Sequence, residues 1–312
     1  MRQIRRAALG AAMLALIVSA CSLGGGSQAP KGTIAGTFAL AGPPECPDRP
    51  FCLKGLEGTY GLKFKDFKPT DAGGPLTIEA LKSGDAQLGL LFTSDPAIAV
   101  NGFVLLADDK GLQLADNLVP VVRSDALAKN PVIKDALNAI QAKMDQATLT
   151  DLNKQVTVDG KATADVAKAW VDAQGFSFSG GSGSVTVGST NFYEQEILGE
   201  IYAQVLEKAG ITVERKFQLG NREVVFPALQ SGEIDILAEY AATALEFVNK
   251  GAGEASTDAK ATVDKLNTRL GPLGLVALDA AAATDQNGFV VTKATADKYK
   301  LVKISDLGNP AP

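Results

Sequence analysis

Ala80-Leu81-Lys82-Ser83-Gly84-Asp85, with AQLGLLF running on to Phe92, has a near copy at Ala228-Leu229-Gln230-Ser231-Gly232-Glu233, where IDILAEY runs on to Tyr240. Each copy reads as a helix end, a glycine that turns the chain out of the helix, and a buried strand. In each, an aromatic residue stands eight positions beyond the glycine: Phe92 after Gly84, Tyr240 after Gly232. The surroundings repeat too. TIAGTFALAG, KGLEGTYG and LKFKDF precede the first copy; VTVGSTNF, EQEILGEIYAQVLEKAG and ITVERKF precede the second. The apolar spacing of EQEILGEIYAQVLEKAG is helical, and Gly210 ends it. Downstream, GFVLLADD parallels GLVALDAA, and Asn117-Leu118-Val119-Pro120 loosely parallels Asn287-Gly288-Phe289-Val290. Strands alternating with helices, twice over, predict an α/β fold of two lobes with parallel or mixed sheets.

Ligands of open α/β sheets sit at the carboxyl ends of strands. Phe92 and Tyr240 fall at such ends, one per lobe, so the repeat predicts two rings facing each other across a cleft that closes as the lobes approach. The alternative is that both rings cap their own cores.

Composition narrows the function. The chain has 312 residues, no histidine, three cysteines and a formal net charge of −5. A Ser-His-Asp triad, a Cys-His dyad and an imidazole metal site are excluded, as is a Cys₄ zinc site. An acidic chain with scattered Lys and Arg is unsuited to nucleic acid. Neither GxGxxG nor GxxxxGK[ST] occurs, so no cofactor is expected and no enzyme activity is indicated.

Residues 1–20, MRQIRRAALGAAMLALIVSA, have the charged start, apolar stretch and small-residue exit of a signal peptide, and are short of the ~20 apolar residues of a spanning helix. The exit, Val18-Ser19-Ala20-Cys21, resembles a bacterial lipobox. That resemblance implies a lipid on Cys21, anchoring on the extracytoplasmic face of the cell membrane, and a tether over 21–30. Cys46 and Cys52 would meet an oxidising compartment; a disulfide is expected, with two buried thiols as the alternative. SGGSGS at 179–184 reads as a linker between the halves.

Several long segments resemble the substrate-binding proteins of ABC importers for osmoprotectants such as glycine betaine, choline and carnitine. They are GSTNFYEQEIL, LGNREVVFPALQSGEIDILAEYAAT, DQNGFVV, GPPECPDRPFC, and LLFTSDPAI with DDKGLQLADNLVPVVR. The order differs from the family's. The segment like VTVGSTNFYEQ opens the family's mature proteins, and the one like ISDL leads into the one like GPPEC. Here ISDL lies at 304–307, near the other end of the chain. The halves look exchanged, as in a circular permutant.

The resemblance implies a two-lobed type II periplasmic binding protein fold of the Venus-flytrap kind, circularly permuted. Lobe B would comprise 31–123 and 287–312, and lobe A 124–178 and 185–286. Carried over residue by residue, the ligand contacts would be Tyr240 and Thr243 from lobe A, Gln195 from the EQ motif, Phe92, Asn287, Phe289 and Asn117. Arg49, inside the Cys46–Cys52 loop, would meet a ligand carboxylate; it could equally pair with Asp48 or Glu45. Phe92 and Phe289 stand where the family has tyrosines, and Asp116 and Asn117 replace a tyrosine pair. Arg222 either reaches the cleft or caps a helix entry, and Trp170 packs away from it. The partners implied are a small-molecule ligand and ABC permease subunits, for a monomer. Alternatives are the same fold taking a more polar or aromatic ligand, or an engineered permuted scaffold.

Overall fold

The computed structural model describes residues 32–312. The expected signal peptide at 1–20 and the tether at 21–30, with Cys21, lie outside them. Along the chain, β1 (Ala39–Gly42), α1 (Leu53–Tyr60), β2 (Asp66–Pro69), α2 (Pro75–Ser83), β3 (Leu88–Phe92), α3 (Ala97–Val100) and β4 (Phe103–Leu105) come first. Then follow β5 (Leu118–Arg123), α4 (Ser124–Lys129), α5 (Val132–Gln141), α6 (Gln146–Thr157) and α7 (Thr163–Gln174). The second half holds β6 (Ser184–Gly188), α8 (Tyr193–Lys208), β7 (Thr212–Lys216), α9 (Arg222–Ser231), β8 (Ile236–Tyr240), α10 (Ala241–Val248), α11 (Ala259–Leu270), β9 (Leu275–Ala277), β10 (Asn287–Thr292) and α12 (Lys293–Tyr299).

These strands form two five-stranded sheets, ordered β2-β1-β3-β10-β4 and β7-β6-β8-β5-β9. The helix ends of the repeat behave alike. Gly84 and Gly232 close α2 and α9 with φ of +80° and +82°, the left-handed conformation a helix exit favours. β3 and β8 then run parallel to β1 and β6. Leu88–Leu91 and Ile236–Tyr240 are buried along their length. Strands covered on both faces need continuous apolar runs, and LGLLF and ILAEY largely supply them. The fold is the two-lobed type II arrangement expected.

The lobe limits shift at one place. β5 was expected to end lobe B, but it pairs antiparallel between β8 and β9 of lobe A. The first crossover therefore precedes Leu118. β10 is its counterpart, antiparallel between β3 and β4 of lobe B. Val119 and Val121 are fully buried among lobe-A side chains.

The Gly/Ser segment is more ordered than a linker reading suggests. Ser184 already pairs with Thr212 in the sheet. Gly181 N–H donates to the Ala209 carbonyl at 3.0 Å, and a Cβ there would lie 2.7 Å from that oxygen. Trp170 packs beside Phe176, with ring centroids 5.8 Å apart, at the edge of the lobe-A core.

The disulfide Cys46–Cys52 closes the loop in front of α1. Gly55 seats that loop: a Cβ there would fall 1.9 Å from the Pro50 carbonyl oxygen and 2.6 Å from Leu112 Cδ1. Gly58, one turn on, has open space around it. Gly55→Ala is therefore expected to destabilise the fold by about 1–3 kcal/mol through overpacking. Gly58→Ala should add about 0.5–1 kcal/mol through helix propensity. Denaturant unfolding of the two variants checks the pair; similar changes at both positions would contradict the packing seen here.

Candidate functional site

β3 and β8 both end where the lobes face each other, so the carboxyl ends of equivalent strands meet across one gap. The gap is a cavity of about 540 Å³, within the usual size range of small-molecule sites. Phe92, Tyr240, Thr243, Gln195, Asn287 and Arg49 all line it, as expected. Phe51, Phe192 and Phe247 add rings, and Asp116, Arg222 and Asp285 add charge.

The ring pairing differs from the expected one. Phe92 leans on Phe192 from the opposite lobe, with centroids 4.5 Å apart. Tyr240 is turned so that its hydroxyl donates to Glu194 Oε1 at 2.7 Å. It is 7% exposed, serving both as cavity wall and as part of the lobe-A core.

Two expected contacts do not reach the cavity. Phe289 is 1% exposed and sits in the lobe-B core with Leu40, Leu88 and Leu90. It shares a sheet face with Asn287, but two residues along a strand carry it a full pleat deeper. Asn117 is spent on the backbone: its Nδ2 donates to the Ala281 carbonyl at 2.9 Å, and it bridges to Thr284. Its neighbour Asp116 faces the cavity instead.

Other site residues are partly committed. Asn287 Nδ2 donates to the Phe51 carbonyl at 2.9 Å, fixing the disulfide loop to β10. Gln195 Oε1 accepts from Thr190 N–H at 3.1 Å. Arg49 pairs with neither expected partner closely: Glu45 is 3.9 Å away, whereas Arg49 Nη2 donates to Glu223 Oε1 and Oε2 at 2.8 and 2.9 Å. Glu223 belongs to α9, so this ion pair joins the two lobes at the mouth.

Arg222 resolves its two readings together. It opens α9 and lines the cavity, yet Nε and Nη2 form a fork on Glu239, at 2.9 Å to Oε1 and 2.8 Å to Oε2. Nη2 also donates to Thr243 Oγ1 at 3.1 Å. Burial works against this guanidinium's charge, but the Glu239 carboxylate beside it holds its pKa above the ordinary value. Arg49 is shifted down, by burial and then by the nearness of Arg222.

Carboxyl groups crowd the inner end of the site. Ser94 Oγ, from the turn after β3, lies 2.6 Å from Glu194 Oε2 and 2.8 Å from Asp285 Oδ1. A hydroxyl has one hydrogen, so the second contact calls for a proton on a carboxyl. Glu194 also accepts from Asn153 Nδ2 at 2.6 Å and from Tyr240, which suits it to hold the charge and leaves the proton to Asp285. Burial raises the pKa of both, Asp285 well above the usual carboxylate range. Asp116, which accepts Thr243 N–H at 2.7 Å, is pushed up to about 7 by burial. The sequence marks Asp116 as a tyrosine replacement, whereas Glu194, beside Gln195, and Asp285, two residues before Asn287, carry no further signal.

A raised carboxyl pKa makes the folded state bind protons more tightly than the unfolded chain. The stability Asp116 contributes is full below about pH 4 and is lost as pH rises towards its folded value of about 7. The ligand-free protein is therefore expected to melt several degrees higher at pH 5.5 than at pH 8, and Asp116→Asn should flatten that slope. Thermal melts across this range check it; a melting point that falls on acidification would contradict it.

Against known proteins, residues 28–173 and 183–312 match the substrate binding domain of ABC-type glycine betaine transport systems. The chain is 30% identical over 146 residues to the glycine betaine-binding protein YehZ of Escherichia coli, covering 45% of this chain and 48% of that one. It is 32% identical over 133 residues to a glycine-betaine-binding protein of Pseudomonas aeruginosa, covering 42% of each. The matches thus span a little under half the length of these relatives. Among solved structures, an ancestral arginine-binding protein bound to arginine aligns over 88% of this chain and 92% of its own, with 15% identity and a TM-score of 0.41. With the family match running through both lobes and nearly all the described residues, the chain belongs to the substrate-binding domain family of ABC-type glycine betaine transport systems.

Proposed function

We propose that the protein captures a small ammonium osmolyte of the glycine betaine, choline or carnitine class between its lobes, outside the cytoplasmic membrane, and presents it to an ABC permease. The observation that carries this reading is the cavity's make-up: aromatic rings from both lobes beside buried carboxyl groups. Ring faces hold a cationic head at roughly 0.5–2 kcal/mol each, more when desolvated. The head lies towards Asp116 and Asp285, and a ligand carboxylate lies towards Arg49 at the mouth of the cavity. A more polar ligand is favoured by one specific observation, the hydrogen-bonding side chains of Gln195 and Asn287 in the wall.

Lipid anchoring at Cys21 belongs to the same proposal and rests on the lipobox alone. The exchanged order of the halves is likewise proposed. The family match breaks between 173 and 183, around the Gly/Ser segment. Alignments that preserve order can follow one half at a time, in keeping with relatives matched over 45% and 42% of the chain. The ends of the described chain are neighbours: Ala311 N–H donates to the Gly32 carbonyl at 2.7 Å and Ile34 N–H to that of Asn309 at 2.9 Å. A permuted gene joining Pro312 to Gly32 and opening at 180–182 is expected to give the same ligand profile, with a melting point within a few degrees. A chain that fails to fold would defeat this part.

For binding itself, Phe92→Ala and Tyr240→Ala should each weaken glycine betaine or choline binding by about 1–3 kcal/mol, from lost ring contact and burial. Titration calorimetry reads the affinity. Tyr240→Ala should also lower the ligand-free melting point, because that ring is core as well as wall. Unchanged affinity in both variants would sink the cleft reading.

A further inference from the structure

We infer that the cleft prefers a cationic head bearing N–H bonds, an incompletely methylated ammonium or a guanidinium, over a quaternary ammonium, and that Asp116 and Asp285 receive it. This rests on the cleft being the ligand site. Asp116 is 1% and Asp285 5% exposed, and both line the cavity. They sit on the two crossover segments, held side by side by the hydrogen bond from Asp285 N–H to the Asp116 carbonyl at 3.0 Å.

Each has one oxygen engaged and one free. Thr243 N–H donates to Asp116 Oδ1, and Ser94 N–H and Oγ both approach Asp285 Oδ1. Among the described residues every hydrogen bond to these two carboxyl groups falls on Oδ1, and none on Oδ2. Among the described residues no Lys or Arg forms an ion pair with them; Arg222 is near enough for its charge to act on Asp116 but is forked onto Glu239.

A trimethylammonium would bring charge to these oxygens but cover them with methyl groups, removing water without replacing its hydrogen bonds. Leaving a buried acceptor so unpaired is costly. An N–H cation removes the same water and returns charge-assisted hydrogen bonds. Two acceptors on adjacent segments suit a head with two N–H groups, while Phe92, Phe192 and Tyr240 remain for its alkyl part.

The test holds the skeleton constant and varies methylation. Titration calorimetry at pH 8, with the full chain, would compare glycine betaine, dimethylglycine and sarcosine, and the matching N-methylation series on 4-aminobutyrate. Expected is a gain of about tenfold or more in affinity on replacing the trimethyl head by one with N–H, the size of one good charge-assisted hydrogen bond. Asp116→Asn and Asp285→Asn, which keep an oxygen to accept the Thr243 and Ser94 N–H groups, should abolish the difference between members. If the trimethyl members bind as tightly as their N–H congeners, and Phe92→Ala weakens them, the inference is overturned while the cleft reading stands. If no member of either series binds, both are overturned.

Discussion

Arg222 is the one base buried among the described residues, and it lines a single cleft with Asp116 and Asp285, while Glu194 and Glu239 are fully buried behind that wall. Burying so much like charge has to be offset locally. Arg222 neutralises Glu239, three donors stabilise Glu194, and a shared proton settles the contact between Ser94, Glu194 and Asp285. What is left uncompensated is the negative character of the inner end, where the two crossover segments meet. The positions of Tyr240, Thr243 and Ser94 follow from their roles as donors or acceptors to this group. The same buried network joins the two crossover segments where the lobes meet.

The two sheets are related by a simple rule. Adding five to each strand number, counted cyclically over ten, turns β2-β1-β3-β10-β4 into β7-β6-β8-β5-β9. Exchanging the halves of the chain therefore changes no strand neighbour. Order along the sequence and order in space are decoupled at this one level, and a topology of this kind is indifferent to which half is made first.

This symmetry is also why so much was legible beforehand. Helix exits at Gly84 and Gly232 and the strand ends at Phe92 and Tyr240 were marked by local chemistry repeated in two places. The site was legible at the strand ends Phe92 and Tyr240 and at the motif residues Gln195, Thr243 and Arg49, and less so where depth or pairing decides. Phe289 looked like a cleft residue because it stands where the resembling family has a tyrosine; its depth in the lobe-B core is not written in the motif. Asn117 and Asp116 are adjacent, and which faces the cavity depends on the backbone pairing of the two crossovers. Arg49 found a partner 174 residues away, Glu223, which only the closed approach of the lobes brings within reach. Glu194 and Asp285 drew no notice because isolated acids are ordinary in a sequence; enclosure makes them unusual.

The Arg49–Glu223 pair has a further consequence for exchange with the outside. Its side chains remain 25% and 45% exposed while spanning the two lobes. Attraction between partly hydrated charges weakens as mobile ions accumulate, with a screening length of about 10 Å at 0.1 M salt falling to about 3 Å at 1 M. The buried contacts behind it are far less affected. Rising ionic strength thus loosens the outer fastening between the lobes more than the buried contacts behind it.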